Sequence, residues 1–267
     1  SPTMKRIPLF LSLVVILSVL LSACGATSGS HLDAIKRAGV IKVGTSADYP
    51  PFEYVDEQGN KIGFDIELMT EVAKRMKLTL EWVDMPFDSL IAGVKEGKID
   101  ASISAFNYSE ERDQEVDFTE AYYVGEDGFT VAEGFTGTIS KPEDVAGLKV
   151  GVQSGTTQDG YVTDVLLAEG VLTEDLVFRY DRADQVALDL KNGRIDVMMT
   201  DLVPGQALAR QLGGLKVVHQ GLYSSGPFNI IVPEGDTELA EAMNAILKDL
   251  QAEGFIDNLA IKYFIGE

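Results

Sequence analysis

Apolar positions along the chain follow two alternating periods. Strand-like runs at residues 40–44 and 148–152 each lead into a polar loop, whereas Phe64, Leu68, Val72 and Met76 recur at helical spacing after Gly63. Beyond the first run, an amphipathic stretch at 89–96 stops at Gly97-Lys98-Ile99-Asp100 and passes into the short strand Ala101-Ser102-Ile103-Ser104. Beyond the second, residues 185–192 stop at Gly193-Arg194-Ile195-Asp196, and a strand comes next at 197–200. In both places glycine sits where a helix is expected to end in a left-handed turn. One unit therefore occurs twice. The intervals differ, 53 residues from Gly44 to Gly97 against 42 from Gly151 to Gly193, which excludes a solenoid of equal repeats. A strand-like run at 78–83 and late helices complete the alternation. Leu239, Met243, Ile246, Leu247 and Leu250 mark the first of those helices, and Phe255, Leu259, Ile261 and Tyr263 mark the second. The pattern predicts an α/β chain of two lobes, each a mostly parallel sheet flanked by helices. The last helices need a surface to cover their apolar face, and the first lobe offers it. The chain then leaves lobe one near 124–132 and returns near 226–232. Two such crossings make a hinge, with Gly125, Gly128, Gly226 and Pro227 as its candidate pivots.

Lys5 and Arg6 precede an apolar run at 7–21 and the small residues Ser22 and Ala23, the pattern of a secretory signal peptide starting at Met4. Residues 1–3 stand outside it. The run is too short for a comfortable membrane span, which needs about 20 residues. Leu21-Ser22-Ala23-Cys24 resembles the lipobox of bacterial lipoproteins, which implies acylation of Cys24, the only cysteine. The expected layout is three leading residues and a signal peptide over 1–23, a lipid-anchored Gly/Ser-rich tether over 24–30, lobe one over 31–126, lobe two over 127–225, and the return to lobe one over 226–267. The protein is thus expected outside the cytoplasm, anchored to the cell membrane.

Composition narrows the possible chemistry. The 267 residues include 42 acidic and 22 basic side chains, a net charge of −20, and no basic stripe offsets it, so nucleic acid is excluded as a partner. With 45% hydrophobic residues the chain is not disordered, and a single Cys excludes a disulfide scaffold or a four-Cys zinc site. His31 and His219 lack metal-ligand spacing to any partner, so neither a metal nor a cofactor is expected.

In open α/β sheets ligands bind beyond the carboxyl ends of the strands. The loops there carry Ser46, Tyr49, Phe52, Phe87, residues 104–107 and Arg112 from lobe one, and residues 153–158 (Gln153, Thr156, Thr157 and Gln158 among them), Thr200 and Asp201 from lobe two. This set complements a zwitterion. Arg112 offers a planar fork to a carboxylate, Thr156 and Thr157 offer hydroxyls and N–H groups at a helix start, and Asp201 offers a carboxylate to an ammonium. Tyr49 and Phe87 supply apolar walls. Read singly, Arg112 is also a surface charge, Asp201 a helix cap, and Asp65 and Glu67 a solvated or capping face. Asp48, Glu53 and Asp88 can reach the cleft, although among 42 acids most are surface groups.

Gly63-Phe64-Asp65-Ile66-Glu67-Leu68 with Val72-Ala73 resembles the signature of the polar amino acid branch of bacterial extracellular solute-binding proteins, family 3, the receptors of ABC importers. Ser109-Glu110-Glu111-Arg112 with Val116-Asp117-Phe118-Thr119, then Ser154-Gly155-Thr156-Thr157, then residues 196–201 resemble its further segments in order. The resemblance implies a type II periplasmic-binding-protein-like fold whose two lobes, joined by a two-stranded hinge, close on a free L-amino acid. It implies a monomer that docks on ABC permease subunits. It assigns the α-carboxylate to Arg112 with Asn107 and Thr157, the α-ammonium to Asp201 and the Ala105 carbonyl, and the side-chain walls to Tyr49 and Phe87. Ser46 stands where several binders of cationic amino acids carry an acid, and Gln153 and Thr200 are neutral. A neutral polar amino acid is therefore expected. Two alternatives share the fold: a cyclohexadienyl dehydratase, for which no cleft acid stands out, and an amino acid receptor for a membrane sensor.

Overall fold

A computed structural model describes residues 29–265. The signal peptide, Cys24 and the tether up to residue 28 lie outside the described residues. The chain opens with α1 (His31–Ala38) and β1 (Val40–Thr45), then the short strands β2 (Asp48–Tyr49), β3 (Glu53–Val55) and β4 (Lys61–Ile62). Next come α2 (Phe64–Arg75), β5 (Thr79–Asp84), α3 (Leu90–Lys95), β6 (Ala101–Asn107), the single turn α4 (Glu110–Asp113), β7 (Val116–Phe118) and β8 (Tyr123–Val124). The second half runs through β9 (Asp127–Ala132), β10 (Val150–Gln153), α5 (Thr157–Tyr161), β11 (Val177–Tyr180), α6 (Ala183–Lys191), β12 (Val197–Asp201), α7 (Leu202–Leu212) and β13 (Leu215–Gly221). It ends with β14 (Pro227–Pro233), α8 (Thr237–Ala252) and α9 (Phe255–Ala260).

Two sheets carry the fold, ordered β5-β1-β6-β14-β7 and β11-β10-β12-β9-β13. Each keeps a parallel core, β5-β1-β6 in one and β11-β10-β12 in the other. To each core the strand arriving from the other sheet is added reversed: β14 runs antiparallel to β6, and β9 antiparallel to β12. The parallel character thus belongs to the local strand-helix-strand units, and the reversed strands to the crossings.

Particular contacts of the repeated unit recur in both copies. In both copies the strand glycine faces the isoleucine after the helix. A Cβ on Gly44 would stand 2.3 Å from Ile99 Cδ1, and one on Gly151 would stand 2.4 Å from Ile195 Cδ1. In both copies the aspartate after that isoleucine closes a loop: Asp100 Oδ2 accepts from Lys42 N–H at 2.7 Å, and Asp196 Oδ2 accepts from Lys149 N–H at 2.8 Å. Gly97 and Gly193 end the two helices at φ +68° and +75°.

The helical face Phe64, Leu68 and Val72 is fully buried, and Leu239, Met243, Leu247 and Leu250 of α8 pack into the same core, so the terminal helices do cover the first sheet. Two expectations change. Ile261 is exposed, because after α9 the helix widens to a π-helical turn (Ile261–Ile265) that shifts the register and brings Phe264 onto Phe64 at 5.2 Å. Gly128 lies within β9, paired with Thr200 and Gln220, where a Cβ would come 3.0 Å from the Leu202 backbone. His31 is not isolated. Its ring nitrogens contact Asp236 Oδ2 at 2.5 Å and Asp100 Oδ1 at 3.0 Å, joining α1 to the start of α8 and the turn before β6. Burial alone would lower its pKa, but the two carboxylates outweigh that and raise it.

The crossings run side by side. Gly125 N–H donates to the Gly226 carbonyl at 2.8 Å, and Pro227 pairs with Val124. Asp127, at the start of β9, accepts from three successive backbone N–H groups of the return crossing, Tyr223, Ser224 and Ser225, at 2.9, 2.7 and 3.0 Å.

Candidate functional site

The carboxyl ends of β1, β6, β10 and β12 meet between the sheets, and a small enclosed cavity lies among them. Tyr49, Phe87, Ala105, Asn107, Gln153, Thr156, Gln158 and Asp201 line it, as do Asp48, Glu53 and Ser104. Asp201 closes the carboxyl end of β12 and is buried. Its Oδ2 accepts from the Tyr49 hydroxyl at 2.6 Å, its Oδ1 accepts from Gln158 Nε2 at 3.2 Å and from the Ser225 hydroxyl, and its own N–H donates to Tyr49 at 3.0 Å. Thr200 stands behind this group, its hydroxyl 2.7 Å from that of Tyr49.

Arg112 and Thr157 lie on the other side of Phe87 and Thr156, along a wide groove at the mouth of the same cleft. Arg112 is buried at 6% exposure. Its Nη1 donates to the Asn107 carbonyl at 2.7 Å and its Nη2 to the Gly155 carbonyl of the opposite lobe at 2.8 Å. The guanidinium carbon sits 5.4 Å from the centre of the Phe87 ring and 5.5 Å from that of Phe106, a cation-π setting. Thr157 donates to Asn107 Oδ1 at 3.2 Å across the cleft. The Thr156 hydroxyl caps α5, accepting from Asp159 N–H at 3.1 Å. Ser46 does not line the cavity; its hydroxyl donates to Asp48 Oδ1 at 2.7 Å.

Asp48, which the sequence places within reach of the cleft, is 2% exposed and reaches across it. Its Oδ2 accepts from Gln153 Nε2 at 3.0 Å and from Ala183 N–H at 2.5 Å, so a carboxylate of lobe one caps the first turn of α6 in lobe two. Glu53 accepts from the Ser104 hydroxyl at 2.8 Å, while its Oε2 and Asp65 Oδ1 have no donor. One proton shared between those two carboxyls satisfies both atoms. Ser225 and Asp127 are further members that local pattern does not reveal: Asn107 Nδ2 donates to the Ser225 hydroxyl at 3.2 Å, and Gln158 Nε2 bridges Asp127 at 2.8 Å and Asp201.

Burial sets the charge states here. It raises the carboxyls of Asp48 and Asp201 to about 6, against hydrogen bonds from Ser46 and Ala183 on the first and from Ser225 and Tyr49 on the second. Burial, reinforced by the Asp65 charge, holds Glu53 well above its usual range. Arg112 is brought down to about 10 by burial, with Asp201 pulling the other way, so it stays charged at neutral pH. Acidic side chains line the cavity and, among the described residues, no cationic one does; Arg112 stands along the groove beside it, and Arg182 donates to the Ala47 carbonyl next to Asp48.

Residues 41–266 match the sequence profile of the bacterial extracellular solute-binding proteins, family 3. The chain belongs to that family. The histidine-binding periplasmic protein of Escherichia coli (strain K12) is 32% identical over 269 residues, covering 98% of this chain and 97% of that one. Among solved structures, a mutant of ArgBP from T. maritima superposes with a TM-score of 0.81 at 37% identity, covering 87% of this chain and 98% of that one. An ancestral arginine-binding protein bound to glutamine does so at 0.78 and 35%, covering 85% and 98%. This solute-binding protein therefore has the two-lobe type II fold. It works outside the cytoplasm, and its relatives are binding proteins, so the dehydratase alternative falls away. Among the described residues no helix is long and apolar enough to cross a membrane.

Proposed function

We propose that the protein captures a free L-amino acid with a cationic side chain between its lobes and passes it to the membrane subunits of an ABC importer, from a lipid anchor on Cys24. In this reading residues 31–126 and 226–267 form one lobe, residues 127–225 the other, and the monomer turns about the crossings at 125 and 226. The observation that carries the ligand class is the cavity lining, where Asp48 and Asp201 stand with a Glu53 held neutral by burial and no cationic side chain is present among the described residues. A zwitterion adds no net charge to such a site. A guanidinium, ammonium or imidazolium side chain supplies the missing cation and its donors. The names of the histidine- and arginine-binding relatives agree with this. A neutral polar ligand is the second reading, supported by Ser46 in place of an acid and by the glutamine held in the ancestral relative.

Arg112 and Asp201 act as the poles of the site. Asp201 takes the α-ammonium beside Ala105, and Arg112 turns its fork from the Asn107 and Gly155 carbonyls to the α-carboxylate, with Asn107 and Thr157 alongside. A thermal-shift screen of the twenty amino acids tests the ligand class, since a ligand bound only by the folded state raises the melting temperature. Arginine, lysine or histidine should give the largest shift; a larger one with glutamine favours the neutral reading. By calorimetry, Arg112→Ala should weaken binding by roughly 2 to 5 kcal/mol, the cost of leaving a buried carboxylate unpaired. Unchanged affinity would remove Arg112 from the site. Cys24→Ala should release the protein from membranes.

A further inference from the structure

Asp65, at the start of α2, is fully buried and does not line the cavity, yet its carboxylate reaches the strand that forms the cavity wall. Its Oδ2 accepts from Ala105 N–H at 2.8 Å and from the Tyr122 hydroxyl at 2.8 Å. Ala105 has φ +49°, in the left-handed region that a residue bearing a Cβ enters only at a cost. It does so inside β6, where pairing with β14 slips. Phe106 faces Asn229 and Ser102 faces Ile231, so residues 103–105 share the single partner position of Ile230. A bulge of this kind takes backbone groups out of the ladder and re-aims the side chains around it. Here Ser104, Ala105 and Asn107 all come to line the cavity. A buried N–H released from the ladder needs an acceptor, and no strand supplies one at Ala105; Asp65 does.

We propose that Asp65 is a positioning residue of the amino acid site: its carboxylate holds Ala105 left-handed and thereby fixes the bulge that presents Ser104, Ala105 and Asn107 to the ligand. The proposal rests on the reading of the cleft as an amino acid site. It explains why an acid of the helix after β4 is buried against a strand of the site instead of facing solvent. It also yields a specific form of rescue. Glycine adopts the left-handed conformation without the Cβ penalty, so Ala105→Gly should make the bulge less dependent on Asp65.

The test is calorimetry with L-arginine, or with L-glutamine if arginine is not bound, on wild type, Arg112→Ala, Asp65→Ala, Ala105→Gly and the double variant Asp65→Ala/Ala105→Gly. Asp65→Ala is expected to weaken binding about tenfold, the scale of one residue's left-handed penalty. Ala105→Gly is the background in which Asp65→Ala is measured again, and there the loss should shrink to about threefold or less. Binding by Asp65→Ala as tight as wild type overturns the proposal. So does a loss from Asp65→Ala that is as large in the Ala105→Gly background, because a purely structural role, or one acting through Glu53, is not mended by glycine at 105. If Arg112→Ala binds like wild type, the cleft reading fails and this proposal with it; loss in Arg112→Ala without loss in Asp65→Ala overturns the positioning alone. Amide hydrogen exchange on the wild-type protein needs no variant to fold. A protected Ala105 amide supports the bond, and one exchanging at exposed-loop rates overturns it.

Discussion

Asp201 receives its hydrogen bonds from a phenol, an amide and a hydroxyl, all neutral, and its carboxyl is raised to about 6 by burial. Only the ionised form can take an ammonium, so the proton must leave before the ligand is held. Affinity is therefore full above about 6 and falls as pH drops below it, by about tenfold per unit once Asp201 is protonated. Titrating L-arginine by calorimetry from pH 7.5 to 4.5 checks this, and a flat profile would mean that Asp201 does not meet the ammonium. The stability of the protein itself should move oppositely. Asp48, Asp65 and Asp201 all sit at about 6, above the ordinary aspartate value of 3.8, so the folded state binds more protons in that window. Their contribution is intact below 3.8 and is lost as pH rises toward 6. Most ligand candidates were legible because their types and loop positions form a zwitterion's complement. Asp48 and Glu53 were legible only as acids within reach of the cleft, and Asp65 only as a capping or solvated acid, since nothing near them in sequence distinguishes an acid folded into a cleft from the many on the surface. Ser225 and Asp127 meet the site only through the return crossing.

Gly44 and Gly151 tie the two α/β units to one packing rule, in which the strand backbone must lie against the isoleucine that comes after the helix. Gly151→Ala would bring a methyl to 2.4 Å from Ile195 Cδ1 and 2.8 Å from Val186 Cγ1. Urea denaturation should show a loss of about 1 to 3 kcal/mol, the scale of overpacking a core. Adding Ile195→Val removes the Cδ1 atom and should recover part of it, while the Val186 contact keeps the recovery incomplete. At this scale the sequence was most informative, because helix faces and glycine stops are local: α2, α3, α6 and α8 all fall where their periods placed them. The miss at Ile261 has a definite cause. A π-helical turn changes the number of residues per turn, which period counting at 3.6 does not anticipate.

Across the whole molecule the bonds that join the lobes include Asp48 to the start of α6, Arg112 to the Gly155 carbonyl, Tyr49 to Asp201 and Thr157 to Asn107. Asp48→Ala removes a lobe-to-lobe cap, worth about 0.5 to 2 kcal/mol for a helix cap in general. It should enlarge the radius of gyration seen by small-angle scattering, with saturating L-arginine bringing it back toward the wild-type value. An unchanged scattering curve would show that the cap plays no part in holding the lobes together. Reversed strand insertion at both crossings was not foreseen, because hydrophobic alternation gives no strand direction.

The manner in which those crossings are laced has its own mechanical outcome. Gly125 is bonded to Gly226, and one carboxylate gathers the three amides at 223–225. Two ribbons stitched edge to edge bend easily across their width but resist being wrung along their length, as a strip hinge carries a door. The expected outcome is a single rotational coordinate for the halves. Fluorophore pairs on several sites of both halves should trace one common arc of distances, whichever amino acid is offered, and Asp127→Ala should let that arc broaden into a cone.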